Sequence, residues 1–111
     1  MRYDPTETLE HLRVPVLLQF GELDALVPPV RNVARWRELL ARAGNRDVTV
    51  KVDPRSDHAL FQMTRRGLER GLSPDGACLA IDSVTDLIDW VRARVGLSAR
   101  ARVTTEACSV A

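Results

Sequence analysis

A chain of 111 residues that is 45% hydrophobic, 28% charged and 5% aromatic has the make-up of one small globular domain, which excludes collagen-like, mucin-like and wholly disordered chains. Sixteen basic against fifteen acidic side chains leave a net charge of +1, too little for the field that steers nucleic-acid binders, so no nucleic acid is expected as a partner. The longest apolar stretches, such as 16–18, run only a few residues against the roughly 20 that span a bilayer, and Met1-Arg2-Tyr3-Asp4 opens no signal peptide, so no membrane partner and a cytoplasmic location are expected.

The lead-in holds His11 beside Glu7 and Glu10, without the third and fourth ligands a metal site needs. The run from Leu12 to Phe20, closed by Gly21, reads as a strand buried on both faces of a parallel sheet, with Pro15 at its start. From Pro29 the period changes: Val33, Trp36, Leu40 and Ala43 recur every three or four residues, with Arg31, Arg35, Glu38 and Arg42 opposite. This is an amphipathic helix, opened by Pro28-Pro29 and stopped by Gly44-Asn45. Residues 47–53 alternate with period two, are β-branched, and end at Pro54, which makes a second strand. Strand, helix and strand form a βαβ unit with a right-handed crossover.

Residues 54–80 read as irregular, with Ser73-Pro74-Asp75-Gly76 as a turn and one short helix near 60–66. Ser83-Val84-Thr85-Asp86 reads as a variant capping box, and Val84, Leu87, Ile88, Val91 and Val95 share one face of a closing helix ended by Gly96. Trp36 and Trp90 read as packing residues, and Arg65, Arg66, Arg92 and Arg94 as solvated charges. Residues 98–111 have no sustained periodicity and read as a frayed tail. Cys78 and Cys108 stand apart, outside any zinc or disulfide spacing, and are expected to be free thiols. Two parallel strands and two good helices are fewer than an open parallel sheet requires, so neighbouring strands are expected upstream or in a partner.

Two segments place titratable residues directly after a parallel strand, where open α/β sheets build their sites. They are Gly21-Glu22-Leu23-Asp24 with Val27-Pro28, and Asp53-Pro54-Arg55-Ser56-Asp57-His58. Asp24 and His58 would leave adjacent carboxyl ends, where a carboxylate aimed at an imidazole N–H fixes the ring's tautomer and stabilises the imidazolium. Taken singly, Asp24 reads as a turn carboxylate and His58 as a loop histidine beside Asp57, so the two roles stand or fall together. Asp57 ranks below Asp24 as the orienting group because sequential neighbours seldom have that geometry, and Glu22 reads as solvent-facing or a loop ligand.

These segments, in this order and with this intervening helix, resemble the C-terminal part of an α/β-hydrolase of the esterase, dienelactone-hydrolase and prolyl-oligopeptidase-like kind. The resemblance covers about residues 4–97 and includes Ile88-Asp89-Trp90-Val91 in the closing helix. It implies a partial α/β-hydrolase fold in which Asp24 is the triad acid and His58 the base, acting on an ester or peptide bond without a cofactor. The departure is that no G-x-S-x-G occurs in the chain. Gly71-Leu72-Ser73-Pro74-Asp75 follows His58, lacks the last Gly, and carries a proline that does not fit a nucleophile elbow. The expectation is therefore an acid and a base without their nucleophile, inactive alone and completed by an N-terminal hydrolase half. The alternative is a non-catalytic module that uses the sheet edge for interaction or self-association.

Overall fold

The computed structural model describes residues 4–64, Glu69 and 77–98. After a short lead-in helix, α1 (Thr6–Leu9), come β1 (Val16–Gly21), α2 (Pro29–Arg42) and β2 (Val48–Asp53). The two strands pair in parallel, with Val16 opposite Val48 and Gly21 opposite Asp53. Period-two geometry sends Val16, Leu18 and Phe20 to one face, where they form the core with the fully buried Leu40 of α2. Leu12, Val27, Val33, Trp36, Val48 and Val50 pack around that cluster.

The limits of α2 follow from its end residues. Pro28 holds an extended ψ of 127° and Pro29 occupies the first turn, where a missing N–H costs nothing. At the other end Gly44 adopts a φ of 73°, and the N–H groups of Asn45 and Gly44 donate to the carbonyls of Leu40 and Ala41 at 2.9 Å each, a Schellman termination. The Asn45 side chain then donates to the carbonyls of Leu12 and Val14 and accepts from the N–H of Asp47, which sets β1 and β2 off side by side.

The closing helix, α3 (Ile81–Arg94), lies on the opposite face of the sheet. Gln19 of β1 donates to the carbonyl of Ser83 at 2.8 Å. On β2, Thr49 accepts from the Trp90 indole at 3.1 Å and Lys51 pairs with Asp86 at 3.1 Å. Arg94 pairs with Asp47 at 2.6 Å and stacks on the Trp90 ring. A parallel sheet with a helix on each face is the α/β arrangement expected of the βαβ pattern.

The apolar stripe of α3 is not the face that meets β1 and β2: Val84, Leu87, Ile88, Val91 and Val95 are 38%, 43%, 48%, 45% and 64% exposed. The helix meets the sheet through Ser83, Asp86, Trp90 and Arg94, and two strands are too narrow to cover the neighbouring flank as well. No capping box forms at Ser83. The helix starts earlier, from Ala80 with no side-chain cap, and the buried Ser83 Oγ has no hydrogen-bond partner.

In place of the short helix near 60–66, β3 (Phe61–Met63) pairs antiparallel with β4 (Ala77–Leu79), while residues 65 and 66 lie outside the described residues. So do the turn at 73–76 and residues 99–111 of the expected tail. The expectation of free thiols is corrected for Cys78, which is disulfide-bonded; Cys108 lies outside the described residues. Among the described residues no helix is long and apolar enough to cross a membrane.

Candidate functional site

The site stands at the carboxyl ends of β1 and β2. Beyond β1 the chain turns sharply, with the Asp24 N–H donating to the Gly21 carbonyl at 3.1 Å. The turn folds the Asp24 carboxylate back onto its own loop, where Oδ1 accepts from the N–H groups of Leu26 at 2.9 Å and Val27 at 2.7 Å. This is the local carboxylate-to-backbone habit of Asp in turns. Here it occupies only one oxygen, and the second, Oδ2, is free to face another element.

Beyond β2, two residues take the left-handed conformation on either side of the histidine, Arg55 with φ 56° and Leu60 with φ 59°. Such values are uncommon for side chains other than Gly, Asn and Asp, and persist only where surrounding contacts hold them. The contacts are present. Arg55 N–H donates to Glu22 Oε2 at 2.8 Å, Leu23 N–H donates to the Ser56 carbonyl at 2.8 Å, and Asp57 Oδ1 accepts from the N–H groups of Ala59 and Phe61 at 2.9 and 3.0 Å. Gly21 completes the fit, since a Cβ there would run into the carbonyl oxygens of Asp57 and Ser56.

The two loops bring Asp24 and His58 together. His58 Nδ1 lies 2.8 Å from Asp24 Oδ2 across 34 residues of sequence, with the Asp24 side chain only 4% exposed and that of His58 55% exposed. An ionised carboxylate can only accept, so Nδ1 carries the ring proton and Nε2 is left as the basic nitrogen. Among the described residues the ring makes this one hydrogen bond. Burial pushes the Asp24 carboxyl up, but the hydrogen bonds from Val27, His58 and Leu26 together outweigh it and hold the group below its ordinary value. The carboxylate therefore stays charged beside the ring, as an orienting acid must.

Asp57, the competing partner for His58, is occupied by backbone N–H groups instead. Glu22, read from the sequence as solvent-facing or a loop ligand, ties the two loops through the Arg55 N–H. The sequence reading missed the reason for Gly21 at its position: its φ lies outside the left-handed region, so it serves close approach rather than a special turn. His11 bonds the Glu7 carbonyl at 2.8 Å, and among the described residues no group of three or more His, Cys, Asp or Glu is placed to hold a metal ion. Ser56 is fully buried with its hydroxyl on the Pro54 carbonyl at 3.3 Å, and Ser73 lies outside the described residues. Comparison of the chain with protein families, curated proteins and solved structures finds no match.

Proposed function

We propose that this chain supplies the acid and base of a serine-hydrolase triad, in a unit of α/β-hydrolase type whose nucleophile comes from a segment preceding β1 or from a partner chain. The observation that carries this reading is the 2.8 Å contact between Asp24 Oδ2 and His58 Nδ1, made by loops that leave the same end of two adjacent parallel strands. In such a unit His58 Nε2 takes the proton of a serine hydroxyl as the oxygen attacks an ester or amide carbonyl. Asp24 stabilises the imidazolium that forms, and the ring then passes the proton to the leaving group. The oxyanion donors belong with the nucleophile turn, so the chain alone is expected to show no triad-type hydrolysis.

The test is to read the coding DNA upstream of the Met1 codon for a strand followed by G-x-S-x-G, express the joined product, and assay p-nitrophenyl ester hydrolysis. Turnover that falls by at least about 10³-fold in His58→Ala is expected. Turnover indifferent to His58 contradicts the reading, and a joined product without such a pentapeptide contradicts its single-chain form and leaves the partner-chain form.

A second reading rests on a different observation. Strand β1 has no strand neighbour on its far side among the described residues, and the exposed stripe of α3 lies on the same body, so the edge is available for pairing with a second copy. A discrete dimer in size exclusion supports that module, and a monodisperse monomer counts against it.

A further inference from the structure

We infer that Glu22 is a positioning residue for the Asp24–His58 pair, a carboxylate clamp that holds the histidine loop in register on the acid loop. It acts through Arg55 and touches neither member of the pair. Glu22 follows β1 directly, and its own N–H continues the parallel ladder by donating to the Asp53 carbonyl at 2.9 Å. Its side chain reaches across to accept the Arg55 N–H at 2.8 Å.

Arg55 is the residue whose backbone needs holding. Its φ of 56° is adopted readily by glycine but seldom by a long side chain, and it sets the direction in which residues 56–58 leave β2. The Ser56 carbonyl is thereby aimed at the Leu23 N–H, and His58 arrives with Nδ1 on Asp24. Released from Glu22, Arg55 gains by relaxing to an ordinary φ, which carries the His58 ring off the carboxylate. Because the clamp joins two loops of this one chain, the pair is assembled before any nucleophile is added.

The purpose of the clamp rests on the hydrolase reading, but its test does not, because it follows the ring and not turnover. In the full chain labelled with ¹⁵N, the ring spectrum of His58 distinguishes the Nδ1–H tautomer held by Asp24 from the Nε2–H tautomer that a neutral imidazole favours in water. Glu22→Ala is expected to lower the Nδ1–H population by about half or more. Glu22→Gln, which keeps an acceptor oxygen, is expected to restore it. So is Arg55→Gly in the Glu22→Ala background, because glycine needs no help to hold that φ.

A ring signature unchanged by Glu22→Ala overturns the clamp, as does failure of both restoring variants. A general collapse of amide dispersion in Glu22→Ala overturns it too, since a tie confined to two loops cannot be what holds the β1–α2 core. Should the joined enzyme prove inactive while the ring behaves as described, the hydrolase reading falls and the clamp stands.

Discussion

At the scale of single residues, Asp24 and Gly21 do different work for the same pair. The Asp24 carboxyl is more acidic in the fold than in the unfolded chain, because hydrogen bonds from Val27, His58 and Leu26 outweigh the opposing effect of burial. In acid the unfolded chain therefore binds the more protons. The contribution of Asp24 to stability is full above the ordinary carboxylate range and is lost as pH falls through and below it. Urea melts as a function of pH are expected to show this slope, and Asp24→Asn to flatten it. Gly21→Ala places a methyl against the Asp57 and Ser56 carbonyls. It is expected to cost about 1–3 kcal/mol by urea denaturation, as overpacking does, and to remove the His58 Nδ1–H signal. The pairing of Asp24 with His58 was legible because each lies on the loop that follows one of two adjacent parallel strands. The ties that hold them were not, since Glu22 and Asp57 make backbone contacts that depend on two left-handed residues no local pattern announces.

At the scale of elements, the crossover unit was read almost to its limits because each boundary has a local cause. Proline opens α2, a left-handed glycine closes it, and alternation to Asp53 defines β2. For the closing helix, sequence periodicity located the apolar stripe but not the face that meets the sheet. Its apolar stripe dominates the sequence pattern, yet hydrogen bonds and ion pairs from Ser83, Asp86, Trp90 and Arg94 dock it on the sheet. Two substitutions separate these modes of packing. Leu40 is wholly buried in the β1–α2 core, and Leu40→Ala is expected to cost about 2–5 kcal/mol in thermal or chemical denaturation. Ser83 is equally hidden, but its hydroxyl has no partner. Since an unsatisfied buried hydroxyl is a net cost, Ser83→Ala is expected to be neutral or to stabilise by up to about 1 kcal/mol in the same assay. The pair β3–β4 was illegible because three-residue strands carry too little alternation to stand out.

At the scale of the whole molecule, the outer edges of β1 and β2 have no strand partner and the apolar stripe of α3 is exposed, among the described residues. Contiguous exposed apolar surface of this kind marks a site of association. The chain alone is expected to associate with rising concentration in sedimentation velocity, and the pair Ile88→Lys with Val91→Glu to suppress this without disturbing the Asp24–His58 contact, which lies on other elements. The proposed hydrolase role asks for more than the contact itself, namely that the two side chains act as one catalytic unit. The direct measurement is a double-mutant cycle on kcat/KM for a p-nitrophenyl ester in the product joined to its nucleophile segment, comparing Asp24→Asn, His58→Ala and the two together. A triad predicts that the double variant is no slower than His58→Ala alone, because the carboxylate works only through the ring. Losses that multiply would show two residues acting independently and would contradict a triad.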